Sequence, residues 1–148
     1  MKPMNISSRL REFLGEGVCE VLREGCEAVL HRVVYGTGQA TERIGLFSVT
    51  GKRVLSQADV SALCASLLDD DTWQWEFITR HRPIPEVMFE LVNGGQRAVF
   101  VLDRRGGKLG FLRDQEILAR DIDASSPGVR FLNQLVDAPD SATQREGQ

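Results

Sequence analysis

The sequence predicts an α+β domain: an antiparallel β-sheet of about five or six strands with helices packed on one face, framed by an N-terminal and a C-terminal helix. Three observations carry this prediction. Apolar residues recur at three- and four-residue steps near both ends and again around residues 60–68. The period switches to two between Trp73 and Leu112. Glycine-rich turns separate the alternating runs. The chain has 148 residues, 42% of them hydrophobic and 26% charged, which suits one domain with an ordinary core.

Ser8 to about Glu24 reads as helix, because Leu10, Phe13, Leu14, Val18, Val21 and Leu22 gather on one stripe. Gly15 and Gly17 weaken its middle and open the way to two pieces, and Gly25 ends it. Glu27–Tyr35 is dense in β-branched and aromatic residues and favours a strand over a continuing helix. Gly36–Ala40 is a loop, Arg43–Val49 a second strand, Thr50-Gly51 a turn, and Arg53–Leu55 a short strand. Ser56 with Asp59 three residues on starts an amphipathic helix that runs to about Asp69, with Val60, Leu63, Cys64, Leu67 and Leu68 on its apolar face.

Trp73, Trp75 and Phe77 then alternate as on a strand, with Gln74 and Glu76 opposite. Val87, Phe89 and Leu91 alternate after the Pro83-Ile84-Pro85 break. Asn93-Gly94-Gly95 marks a hairpin to Arg97–Leu102, since a tight turn there needs positive φ. Asp103–Gly107 turns the chain into Lys108–Leu112, which completes a meander. Asp114–Asp121 reads as a helix around Ile117 and Leu118. Ser126 is an N-cap candidate with Pro127 in the first helical position, and Phe131, Leu132, Leu135 and Val136 face the core from a last helix. Residues 1–137 thus form a single domain, and 138–148 read as a disordered tail.

Composition narrows the function. The net charge of −3 lies on the wrong side for most nucleic-acid-binding domains. No apolar run is long enough to span a membrane, and the N-terminal residues lack the apolar stretch of an export signal, so the expected place is the cytoplasm, with no membrane partner. Cys19, Cys26 and Cys64 form no disulfide framework and have no zinc-type spacing. No metal and no cofactor are expected.

Catalytic motifs are sparse. Gly45–Arg53 resembles a phosphate loop at a glance, but five residues separate its glycines and Arg53 stands where Ser or Thr would ligate magnesium. No G-x-S-x-G occurs. His31 and His81 are the only histidines, so acid–base chemistry near neutrality has few candidates. His31 reads as packed within its β-branched run, and His81 lies between two arginines. Arg80, His81 and Arg82 form one basic cluster; Arg104, Arg105 and Lys108 form another at a hairpin tip. Brought together by the sheet, they could bind an anion or an acidic partner, although solvated charge is the blander explanation. Asp69, Asp70 and Asp71 close the amphipathic helix, where carboxylates oppose the dipole. The Trp73/Trp75/Phe77 stripe suits a core, or an interface if it faces solvent.

From Val29 to Val136 the order of motifs resembles a group of small uncharacterised bacterial proteins. VLHRVVYGTG, RIGLFSV and VLSQADVSALCASLLDD match a strand, a Gly loop, a second strand and an amphipathic helix. TWQWEFITRHRPIPEVMFEL, VNGGQRAVFVL and GVRFLNQLV match the aromatic strand, the hairpin and the last helix. Members of that group often carry cysteines near the Pro-containing lead-in and the final hairpin; here His81 and Asp103 stand in those neighbourhoods. The resemblance implies the fold order and no activity.

The functional expectation is therefore a non-catalytic protein-binding module, most specifically an immunity-type inhibitor of a bacterial toxin or effector. Arg80, His81, Arg82, Arg104, Arg105, Lys108, Asp69, Asp70 and Asp71 are its candidate binding residues. The alternatives are a homodimeric structural or adaptor protein pairing through an exposed strand edge, and a small enzyme using His81 with an acid such as Asp103.

Overall fold

The computed structural model describes residues 5–36 and 42–140. It is α+β, with four helices and a seven-stranded antiparallel sheet. In chain order the elements are α1 (Ser8–Leu14), α2 (Glu16–Arg23), β1 (Glu27–Tyr35), β2 (Arg43–Ile44), β3 (Phe47–Val54), α3 (Gln57–Leu67), β4 (Val87–Asn93), β5 (Gln96–Asp103), β6 (Lys108–Arg113), β7 (Glu116–Asp121) and α4 (Pro127–Asp137). Across the sheet the strands lie β2-β3-β1-β4-β5-β6-β7.

Gly15, at φ 90°, breaks the first helix into two, and Ser7 caps α1 by accepting the Leu10 amide. Ser56 and Ser126 cap α3 and α4 in the same way through Asp59 and Val129, and Pro127 opens α4 as expected. All four helices bury apolar residues against one sheet face. Leu10, Leu22, Leu63, Leu67 and Leu132 join Leu30, Phe89, Phe100 and Phe111 in one cluster. The opposite face carries a smaller cluster of Val33, Ile44, Met88, Val99 and Val101, with Ile117 packed against it. Because that cluster draws on β2 and β7, the two edges, the sheet curls toward its helix-free side.

Three sequence expectations need correction. Asp114–Asp121 is not a helix. Asp114 and Gln115, at φ 53° and 73°, form a two-residue hairpin turn, and β7 pairs with β6 from Arg113↔Glu116 to Lys108↔Asp121. Its adjacent Ile117 and Leu118 serve opposite sheet faces, which a helical stripe would not allow. Trp73–Phe77 is not a strand either; only a single bridge, Trp73↔Ile122, forms there. Finally, the expected turn at Thr50-Gly51 is a β-bulge. Gly51 pairs with Arg32 and Val49 with Val33, leaving Thr50 as the extra residue, while the turn lies earlier at Gly45-Leu46. The count reaches seven because β7 joins the sheet and the Gly45-Leu46 turn divides the expected Arg43–Val49 strand between β2 and β3, which outweighs the loss of a strand at Trp73–Phe77.

The loop expected at Gly36–Ala40 falls from Thr37 onward outside the described residues. Most of the expected tail, from Ser141, does so too. Its first residues are held: Arg53 donates to the Leu135 and Ala138 carbonyls at 2.6 and 2.7 Å, and Arg32 pairs with Asp140 at 2.7 Å. Among the described residues no helix is long and apolar enough to cross a membrane.

Candidate functional site

The feature that organises the surface is the segment from Gln74 to Glu86, which carries no regular structure yet is stitched down along its length. It leaves the core at Trp73, whose indole N–H donates to the Leu67 carbonyl. Trp75 donates to the Asp70 carbonyl, and the guanidiniums of Arg9 and Arg120 each lie over its ring, 4.8 Å from the centroid. Both tryptophans therefore belong to the core, whereas Phe77 is 57% exposed. The expected stripe is split between core and surface.

Thr79 is the central anchor. Its carbonyl accepts from the Lys108 ammonium at 2.6 Å, and its amide and hydroxyl donate to the Asp121 carboxylate at 3.1 and 2.9 Å. Lys108 and Asp121 are themselves paired at 2.8 Å and almost wholly buried. Burial alone would raise the Asp121 pKa. The hydrogen bonds from Lys108 and Thr79 together outweigh it and hold the carboxyl below its ordinary range. Lys108 is thus a structural cation under the loop and is not presented to a partner, contrary to the sequence expectation.

Past Thr79 the segment meets the β5–β6 turn. His81 donates from Nε2 to the Gly106 carbonyl at 3.0 Å, and the Ile84 amide donates to Asp103 Oδ2 at 2.8 Å. Asp103 is buried and accepts the Gly106 amide as well. Gly106 is required here: a Cβ would press on the Asp103 carboxylate and come within 3.0 Å of His81 Nε2. Between this segment, the turn and α4 lies a cleft of about 910 Å³, lined by His81, Arg82, Ile84, Arg104, Arg105 and Asp137 among others.

Charge in the cleft divides into two kinds. Arg104 is committed to Glu86 through two hydrogen bonds and to Asp137 at 2.8 Å, and those carboxylates, Glu86 foremost, raise its pKa further. Arg82 and Arg105, with neighbouring Arg80, are exposed and make no ion pair among the described residues. Ile84, 73% exposed between two prolines, lines the cleft with Arg82 and Arg105, and Phe77 and Ile78 are exposed earlier on the same segment. The two basic clusters anticipated from the sequence therefore do meet, with Arg104 and Lys108 neutralised internally. Ile84 and the neutralising Glu86, Asp137 and Asp121 were not anticipated as part of the site. An isoleucine between prolines was the available signal for the first.

The acidic cluster lies elsewhere. Asp69 caps a one-turn 3-10 helix at Asp70–Thr72 by accepting the Asp71 amide, so these carboxylates favour a helix start instead of opposing the end of α3. Asp70 pairs with Ser7 and Arg9, tying α1 to this turn. His31 is buried on the helix-free sheet face, where Nε2 meets Glu90 at 2.9 Å.

Among the described residues the cleft lining holds one histidine, His81, which donates to a backbone carbonyl, and three carboxylates, Glu86, Asp103 and Asp137, with no hydroxyl, thiol or lysine amine. Among the described residues no group of His, Cys, Asp or Glu gathers to hold a metal ion. No protein-family model matches the chain, and neither a curated protein nor a solved structure matches it.

Proposed function

We propose that this protein is a non-catalytic binding module that docks an acidic, partly apolar segment of a protein partner against the Gln74–Glu86 segment and the β5–β6 turn. The observation that carries the reading is the conjunction of three guanidiniums without an ion pair among the described residues, Arg80, Arg82 and Arg105, with exposed Phe77, Ile78 and Ile84 on a segment anchored at Thr79, His81 and Ile84. A backbone already anchored loses little conformational freedom on binding, so the ordering cost that remains is that of the exposed side chains. Charge on the rim draws an acidic partner in, and the apolar groups supply contact area.

The test is capture from native lysate by tagged wild-type protein and by the Arg82→Glu/Arg105→Glu variant, each followed by mass spectrometry and native mass. A stoichiometric partner held by the wild type and lost by the variant supports the reading. Retention by the variant, or self-assembly with no partner, overturns it, and self-assembly moves the assignment to a homodimeric adaptor. The partner's own activity in the complex decides the narrower role: a silenced toxin or effector makes this an immunity-type inhibitor.

A further inference from the structure

Away from the cleft, the three cysteines are all free and buried, but they are not equivalent. Cys19, on α2, is wholly inaccessible. Cys26 occupies the short connection between α2 and β1, directly after Gly25, and Cys64 lies on α3. Their sulfurs are 3.7 Å apart, although 38 positions separate them in the chain. Two thiols in van der Waals contact on different elements need only about 1.7 Å of further approach to reach disulfide length.

From this geometry we infer that Cys26 and Cys64 form a redox-closable pair, a modification site for a small-molecule disulfide of the glutathione class. Cys26, at 9% exposure, lies at the rim and meets the reagent first. Its thiolate attacks one sulfur of oxidised glutathione and expels one glutathione thiolate. Cys64, losing its proton, then attacks the Cys26 sulfur of the mixed disulfide and expels the second. Two electrons pass to the reagent, two glutathione thiols form with the two protons, and one bond joins Cys26 to Cys64. The bond ties the start of β1 to α3, strapping that end of the sheet to its helical layer. In a reducing compartment it stays open.

Burial sets the rate. It raises both thiols, and with Cys26 beside it the Cys64 pKa is pushed up to about 12, so exchange is slow at neutrality and quickens as pH rises.

The experiment incubates the folded full chain with oxidised glutathione in mildly alkaline buffer and follows intact mass, then maps peptides without reduction. The expected result is a loss of two hydrogens, a linked Cys26–Cys64 peptide pair, free Cys19, and a rise of about 10 °C in unfolding temperature that dithiothreitol reverses. Cys64→Ala should stop at a single glutathione adduct on Cys26. A stable adduct on the wild type, a link through Cys19, a chain-to-chain dimer, or folded protein still fully reduced after incubation many times longer than the denatured protein needs to oxidise would each overturn the inference. Because the wild-type intact mass and peptide map together decide between these outcomes, the conclusion does not depend on the variant folding.

Discussion

Replacing Asp121 with Ala is the sharpest perturbation of the structure that holds the candidate site in place. The Lys108 ammonium is buried at 2% exposure and has two acceptors, the Asp121 carboxylate at 2.8 Å and the Thr79 carbonyl at 2.6 Å. Removing the carboxylate leaves one neutral acceptor for a buried cation and also strips Thr79 of its acceptor. Breaking one side of a buried pair costs about 3–5 kcal/mol. The same attraction at an effective dielectric of about 20 is roughly 6 kcal/mol before any relaxation; the Thr79 carbonyl that still accepts from the ammonium offsets part of it, so about 3 kcal/mol is expected. Urea unfolding followed by the fluorescence of Trp73 and Trp75 reads this out. With a slope of about 2 kcal/mol/M, the midpoint should fall by about 1.5 M. Replacing both partners with apolar residues, Lys108→Met with Asp121→Leu, should recover most of the loss, because no charge is then stranded. A shift under about 0.5 M for Asp121→Ala, or no recovery in the double variant, would refute the claim that Thr79 is anchored by this pair.

Further predictions follow from the same structure. The Asp121 carboxyl titrates below its ordinary value of 3.8, so its stabilising contribution is complete above that value and is lost as pH falls through the lower folded one. Glu90, held low by Arg97 and His31 against its burial, acts in the same direction, and Asp121→Asn should flatten the acid limb of stability only in part. Gly110→Ala would place a Cβ on the Leu118 carbonyl and 2.7 Å from the Ala119 Cβ, forcing β6 and β7 apart; a loss of about 3 kcal/mol is expected by chemical denaturation. Ser126→Ala removes the buried cap of α4 and should cost about 1 kcal/mol in the same assay, whereas a neutral result would mean that water or Pro127 alone suffices to start the helix.

What the sequence made legible is what short-range chemistry decides. Ser56, Ser126 and Pro127 fix helix starts within three residues, and Asn93-Gly94-Gly95 fixes a hairpin, so α3, α4 and the β4–β5 pair were readable. The errors arose where partners distant in the chain decide. Asp114-Gln115 adopts the left-handed turn without glycine, so nothing local announced β7, and the adjacency of Ile117 and Leu118 mimicked a helical stripe. Trp75 left the strand pattern because Arg9 and Arg120, from α1 and β7, close on its ring. In the site, the clustering of arginines was visible as sequence. Which of them are free was not, since Glu86, Asp137 and Asp121 neutralise Arg104 and Lys108 only once the loop, the meander and α4 have packed.

The most direct measurement is the affinity of the captured partner for wild type and for Arg82→Glu/Arg105→Glu, by calorimetry at two ionic strengths. The account predicts a loss of at least about tenfold in the variant, weaker wild-type binding at the higher salt, and an unchanged urea midpoint, because both side chains are exposed and unpaired. Equal affinity for the two proteins, or binding indifferent to salt, would contradict it.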